Sequence, residues 1–168
     1  MKKIIFTSII FLISFQINSQ KKDSEVYTEI LNQIWKPFKK SFDKKDSRTF
    51  NNLHTNDIIR INAWGIKQGK TYKDTITNSY SNKSDKTRTI TFWIEQSVFS
   101  KTISHQIGYY AVTYKESNKK DKTIYAQFQV TLKKINGTWK IWQDFDTDMV
   151  GGKKVDSTFT QHLKKLDL

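Results

Sequence analysis

Residues Tyr125–Phe145 read YAQFQVTLKKINGTWKIWQDF, two runs of alternating apolar and polar side chains on either side of Asn136-Gly137. An Asn-Gly pair between alternating runs is the strongest short-range signal of a β-hairpin, because a type I′ turn needs a positive φ at both central residues. The stretch therefore predicts a long two-stranded hairpin in the C-terminal half of the chain.

A two-residue turn pairs Ile135 with Thr138 and so fixes the register of this hairpin. Extended without interruption, the register sets these residues opposite each other: Leu132 and Ile141, Val130 and Gln143, Phe128 and Phe145. All of them except Gln143 are apolar, so we predict that they face inward. The alternate residues should face outward, and they are Gln127, Gln129, Thr131, Trp142 and Asp144.

The rest of the chain supplies helices first and strands afterwards. Apolar residues recur every four positions from Ser24 to Phe42, which predicts an amphipathic helix that Pro37 kinks or interrupts. The other predicted helices are a short one from Asp46 to about His54, one over 71–81, and a tail helix over 157–166. The predicted strands cover 57–64, 87–99, 107–116, 122–134 and 138–146.

The first residues, MKKIIFTSIIFLISFQINSQ, have the layout of a secretory signal peptide. Two lysines precede an apolar core too short to span a bilayer comfortably. We expect cleavage after Ser19, with Gln20 as the new N-terminus, and export to the periplasm or medium. The predicted organisation is thus a signal peptide (1–19), one domain (20–148) and a C-terminal tail (149–168).

Composition excludes some classes of function. The chain has no cysteine, which rules out disulfides and thiolate metal sites. Its net charge of +13 comes almost entirely from lysines scattered over loops and strand ends, whereas nucleic-acid readers favour arginine and a concentrated basic face. We therefore expect no nucleic-acid partner and no membrane span, and weak attraction to anionic surfaces stays open.

The order of elements resembles the nuclear transport factor 2-like superfamily, which includes SnoaL-like cyclases and ketosteroid isomerase. The resemblance covers about Glu25 to Asp148. The residues that carry it are Asp46, Asn56-Asp57, Gly65, Gly69 and Gly137-Thr-Trp139-Lys-Ile141. It implies an α+β fold in which a cone-shaped, curved antiparallel sheet wraps around three N-terminal helices.

The resemblance does not carry over the catalytic groups of the isomerase type. The position matching the general-base aspartate holds Asn62, and the tyrosine position falls near Phe38. The aspartate that would donate to the oxyanion should lie on the strand from Phe128 to Leu132, where the inward residues are apolar. The histidine positions of SnoaL-like members match Gln143 and Phe145, neither of which is an acid or base at neutral pH.

Other titratable residues offer weaker candidates for chemistry. We expect His54 to cap a helix end, and His105 to face solvent unless the register brings it to Glu95 as an acid–base pair. Asp144, Asp146 and Asp148 alternate along one strand end. They could bind a hard cation, but exposed acids that balance nearby lysines are the favoured interpretation. We predict no metal and no cofactor.

Aromatic residues give the remaining signal. We predict that an apolar or amphipathic small molecule binds at the open end of the cone, contacting Trp35, Trp64, Tyr110, Gln143 and Phe145. Trp142, beside Tyr109 on the convex face, suggests a homodimer interface. The favoured function is a non-catalytic, exported small-molecule-binding domain. The alternatives are a SnoaL-like lyase or isomerase with non-standard acid–base residues, and a homodimeric interaction module with a filled cavity.

Overall fold

The computed structural model describes residues 24–82 and 86–168. It confirms the α+β prediction, with helices at the N-terminus and a large curved sheet built from the rest of the chain. The predicted signal peptide and its cleavage site at Ser19-Gln20 lie outside the described residues. Within the described residues no helix is long and apolar enough to cross a membrane.

The first helix, α1, runs over 24–44 and changes pitch in its middle. Its first turns are α-helical, Leu31–Trp35 form a π-helical turn, and Lys36–Lys44 are α-helical again. The π turn ends just before Pro37, which lacks an N–H and would crowd the carbonyl of an undistorted preceding turn. The predicted interruption at Pro37 is thus a local widening of one continuous helix.

Two further helices follow. Helix α2 comprises Ser47–Asn52, and the side chain of Asp46 caps its N-terminus by accepting a hydrogen bond from the backbone N–H of Thr49. Helix α3 comprises Gly69–Ser81 and follows a short hairpin. Its buried residues, Tyr72 and Tyr80, point to the interior of the cone.

Six strands form the sheet in the order β2-β1-β6-β5-β4-β3. Their bounds are β1 His54–Asn62, β2 Gly65–Gln68, β3 Thr87–Phe99, β4 Ile103–Lys115, β5 Lys122–Ile135 and β6 Thr138–Thr147. Strands β3 to β6 form the predicted antiparallel meander, but β1 pairs with β6 in parallel. The sheet is therefore mixed: its strands pair in the predicted antiparallel manner at every junction except this one.

The β5–β6 hairpin has the predicted turn. Asn136 and Gly137 both have positive φ, 49° and 79°, as a type I′ turn requires. Ile135 pairs with Thr138 and Leu132 with Ile141, so the predicted register holds for the first part of the hairpin.

Beyond Ile141 the predicted register is wrong. A β-bulge inserts Trp142 as an extra residue in β6, so that Gln143 pairs with Thr131 and not with Val130. Each later residue of β6 is thereby moved to the opposite face from the one predicted. Val130 faces Asp144 across the ladder, and Phe128 faces Asp146.

A second bulge curves the other side of the sheet. It lies between Ile94 and Gln96 of β3, opposite Gly108 of β4. A Cβ atom on Gly108 would lie 2.1 Å from the carbonyl oxygen of Trp93 and 2.9 Å from the ring of Phe128, so only glycine fits this close approach. The bend helps the sheet to wrap around α1.

The core lies between α1 and the concave face of the sheet. Trp35 is fully buried there, with its ring centroid 4.9 Å from that of Phe92 and 5.2 Å from that of Phe128. Its indole N–H donates to Oε1 of Gln106 at 2.8 Å, and Gln106 is itself fully buried. Burial of these large rings supplies much of the hydrophobic stabilisation of the domain.

The C-terminal tail packs onto the sheet. It contains a two-strand hairpin, β7 Met149–Val150 and β8 Lys153–Lys154, followed by a single 3₁₀ turn over Ser157–Thr160 in place of the predicted tail helix. Phe159 covers Tyr109, with ring centroids 5.7 Å apart. The backbone N–H of Leu166 donates to the carbonyl of Phe92 on the free edge of β3. The tail thus occupies part of the convex face that we assigned to a dimer.

Candidate functional site

A cavity of about 550 Å³ opens between the concave face of the sheet and helices α1 and α3. Its walls are mostly apolar and rich in aromatic rings, with Phe38, Phe50, Phe92 and Phe128 among the lining residues. At the mouth lie the exposed side chains of Trp64, Ile66 and Ile124. The space suits a small, largely apolar molecule.

One side of this cavity carries a cluster of charged and hydrogen-bonding groups, which we call the carboxylate cluster: Arg60 on β1, Tyr110 on β4, and Asp144 and Asp146 on β6. Nη1 of Arg60 lies 2.8 Å from Oδ1 of Asp144, and its Nη2 donates to Oδ2 of Asp146. The hydroxyl of Tyr110 donates to the same Oδ2 of Asp146 at 2.7 Å. Two carboxylates share one guanidinium, so the cluster has a net charge of −1 when both are ionised.

Burial sets the electrostatics of the cluster, since each of the two carboxylates is only 12% exposed and Arg60 18%. Burial raises the pKa of Asp144, and the Arg60 cation only partly opposes this shift. Burial alone would lower the pKa of Arg60, but the two neighbouring carboxylates outweigh it and raise that pKa. Arg60 therefore stays charged, while Asp144 holds a proton more readily than an exposed aspartate.

Three tyrosines around the cavity remain protonated donors at neutral pH. Burial raises the pKa of Tyr72 and of Tyr110, and the nearby carboxylates raise both further. Burial also raises the pKa of Tyr80 to about 12, against the opposing charge of Arg88. These three hydroxyls can therefore donate hydrogen bonds but do not act as bases, whereas the two carboxylates of the cluster can accept a proton.

The structure brings together three of the five predicted ligand-binding residues. Trp35, Trp64 and Tyr110 line the cavity, at its inner wall, its mouth and its charged side respectively. Gln143 and Phe145 do not line it, because the bulge at Trp142 turns them to the convex face beside Thr131 and Gln129. Their assignment to the cavity is therefore wrong, and Asp144 and Asp146 occupy the inward positions instead.

Sequence reasoning missed Arg60, Asp144 and Asp146 as cavity residues. The favoured interpretation of exposed acids balanced by lysines is wrong for Asp144 and Asp146, and only Asp148 is exposed as expected. One signal was available: Arg60 interrupts an isoleucine-rich strand, IIRI, and an arginine there needs an acidic partner. Nothing in the alternation of β6 indicated the bulge that supplies that partner.

The other titratable candidates do not join the cavity. His54 is buried, and its Nδ1 bonds the carbonyl of Phe50 at 2.8 Å, as a cap at the end of α2. His105 lies beside Thr131 and makes no ion pair with Glu95 in the described part of the chain. Nor do residues 24–82 and 86–168 contain a group of three or more histidines or acids placed to hold a metal ion.

Comparison with solved structures identifies the architecture. An NTF2-like protein of unknown function from Shewanella oneidensis superposes with a TM-score of 0.59 at 16% identity, over 71% of this chain and 98% of that one. The chain has the nuclear transport factor 2-like fold. This confirms the resemblance seen in the sequence, including the cone-shaped sheet.

Two proteins from Novosphingobium aromaticivorans are also similar. One is an NTF2-like protein with a cystatin-like fold: TM-score 0.62, 11% identity, covering 86% of this chain and 95% of that one. The other is a candidate scytalone dehydratase: TM-score 0.61, 14% identity, covering 76% and 86%. No sequence-family description matches the chain. No curated protein matches it by sequence either.

Proposed function

We propose that this protein binds a small, mostly apolar molecule whose cationic or hydrogen-bond-donating end contacts the carboxylate cluster. One observation carries the proposal: in the wall of an aromatic-rich cavity of about 550 Å³, two buried carboxylates share a single guanidinium. A buried charge is costly unless an opposite charge or a hydrogen bond stabilises it, and the single charge of Arg60 balances only one of the two carboxylates. A cationic or hydrogen-bond-donating group of the ligand would stabilise the second carboxylate.

A pair of simple probes tests this proposal. We expect octylamine to bind more tightly than 1-octanol, by about tenfold, because a charge-assisted hydrogen bond to a buried carboxylate adds to the same apolar contact. In Asp144→Asn the cluster becomes neutral and the preference should disappear. Asp148→Asn is the matched control, since Asp148 is exposed and lies outside the cavity. Isothermal titration calorimetry measures both affinities.

The proposal fails if neither probe binds the wild-type protein, or if octylamine and octanol bind equally. Native mass spectrometry of the gently purified protein gives an independent check. A co-purified small molecule that is lost from Asp144→Asn and kept by Asp148→Asn would support the site and give the mass of its natural ligand.

Acid–base catalysis is a second candidate function, favoured by the position of Asp144 against the cavity and by its raised pKa. A carboxylate of raised pKa is a better proton acceptor near neutral pH. The similarity to a candidate scytalone dehydratase suggests a dehydration. A carboxylate base suits the loss of water from a β-hydroxy carbonyl compound, because the proton next to the carbonyl is acidic. Asp144 would take the proton next to the carbonyl, that electron pair would form the double bond, and the hydroxyl would leave with a proton from solvent.

Ultraviolet absorbance of the conjugated product tests this second function. Wild-type protein incubated with a β-hydroxy ketone should produce the enone, and Asp144→Asn should slow that reaction by about a hundredfold or more. Equal rates in the wild-type protein, in Asp144→Asn and in buffer would leave binding as the function of the cavity.

We also propose export and a homodimer, each with its own test. The n-region and apolar core of residues 1–19 support export, and mass analysis of the mature protein should find Gln20 at or near its N-terminus.

Trp142 supports a homodimer interface on the convex face, although its indole already donates to Asp57 and lies under Lys133. Trp142→Glu should then shift a dimer to monomer in sedimentation velocity, and a wild-type monomer at high concentration would exclude this interface.

A further inference from the structure

Arg88 lies in the cavity wall away from the carboxylate cluster. It comes from the beginning of β3, opposite Tyr114 of β4, and both residues line the cavity. Its guanidinium carbon lies 3.9 Å from the ring centroid of Phe42 and 4.3 Å from that of Tyr80. Two aromatic faces therefore hold the cation in a fixed position.

The charge of Arg88 is not neutralised by any acid in the described part of the chain. Its Nε donates to the carbonyl of Phe42 at 2.9 Å, and its buried Nη2 has no hydrogen-bond acceptor there. The two acids in the cavity wall are both engaged by Arg60. Aromatic rings attract a cation but carry no net charge, so an anion is still missing at this position.

We infer that Arg88 binds an anionic group of the ligand, a carboxylate by preference, at the end of the cavity away from the carboxylate cluster. The inference rests on the proposed function and extends it. The ligand class becomes an amphipathic molecule with a donor or cationic group at one end, an apolar body, and a carboxylate at the other end. A planar guanidinium suits a carboxylate because the two can form parallel hydrogen bonds.

The test compares two probes that differ only in charge at one end, 8-aminooctanoate and 8-aminooctanamide. Both offer an ammonium group to the carboxylate cluster. We expect calorimetry at neutral pH to show the acid binding at least about tenfold more tightly than the amide. Arg88→Met keeps an apolar side chain of similar length between the rings, and it should reduce that ratio to near one.

Arg48→Met is the matched control. Arg48 is exposed on α2 and lies outside the cavity, so this variant loses the same charge and should keep the wild-type ratio. A circular dichroism melt of each variant confirms that it is folded. If Arg88→Met is unfolded, Arg88→Lys replaces it as the test variant. Arg88→Lys should weaken the binding of 8-aminooctanoate and leave the binding of 8-aminooctanamide unchanged.

The outcomes separate this inference from the proposed function. If the acid and the amide bind the wild-type protein equally, or if Arg88→Met keeps the preference for the acid, Arg88 is not an anion site while the proposed cavity function stands. If neither probe binds the wild-type protein, both the inference and the proposed function are overturned.

Discussion

Arg60 and Asp144 are direct neighbours across the parallel pairing of β1 and β6, and the ion pair between them measures 2.8 Å from Nη1 to Oδ1. The ion pair depends on two features of the fold that the local sequence around Arg60 does not contain. Strand β1 must lie parallel to β6, and Trp142 must be bulged so that Asp144 shares the concave face with Arg60. Together they place the carboxylate cluster in the wall of a largely apolar cavity.

Arg60→Met should destabilise the protein strongly. It leaves two carboxylates together in the cavity wall without their cation, and breaking a buried ion pair in this way costs about 3 kcal/mol or more. Urea denaturation at neutral pH measures the loss. The deficit should shrink in acid, where the carboxylates become protonated. Arg48→Met, an exposed arginine, should stay within about 0.5 kcal/mol of wild type, and an equal loss in both variants would contradict the role of the cluster.

Asp144 should make stability fall as pH rises. Its pKa in the folded protein is above the ordinary value of 3.8, so the folded state binds its proton more tightly than the unfolded state. The stabilisation is complete below pH 3.8 and is lost as pH rises through the folded pKa. The melting temperature of wild type relative to Asp144→Asn should therefore decrease across that window, and an increase would contradict the assignment.

His54 should act in the opposite direction. Burial lowers its pKa from 6.5 to about 3, although its bond to the Phe50 carbonyl opposes the shift. Below pH 6.5 the unfolded state binds a proton on His54 that the folded state does not bind, so stability is lost as pH falls from 6.5 towards 3. At about pH 5 the loss should be roughly 2 kcal/mol.

His54→Asn tests this pH dependence, since asparagine can still donate to the Phe50 carbonyl but does not titrate. Urea denaturation between pH 4 and 7 should show a flatter slope for this variant than for wild type, whatever its overall stability. His162→Gln removes an exposed histidine and should leave the slope unchanged. A wild-type slope retained in His54→Asn would show that other groups dominate.

Gln143→Leu should have almost no effect on stability or on ligand binding. Gln143 is on the convex face beside Thr131, so the substitution should change the free energy of unfolding by no more than about 0.5 kcal/mol and leave octylamine affinity unchanged. Asp146→Asn, directly opposite Phe128 on the cavity side, should weaken the binding of octylamine. Weaker binding in Gln143→Leu would instead support the uninterrupted register.

The local sequence determined the parts of this fold that depend on local physics. Asn136-Gly137 determined the turn, since few other residues adopt positive φ at both positions. The spacing of four determined the inward face of α1, and the side chain of Asp46 determined the start of α2. Strict alternation determined the inward face of β4, where Tyr110, Val112 and Tyr114 line the cavity. Each of these follows from residues a few positions apart.

Only the tertiary structure decided which residues of β6 face the cavity. A single extra residue reverses the alternation, and a bulge is stabilised by contacts across the sheet, which a strand's own sequence does not display. Asp144 and Asp146 are therefore inward, Gln143 and Phe145 outward, although all four lie within four positions of one another. Arg60, which pairs with the inward carboxylates, lies on a strand more than eighty residues earlier in the chain. The local sequence of β6 therefore could not indicate the site.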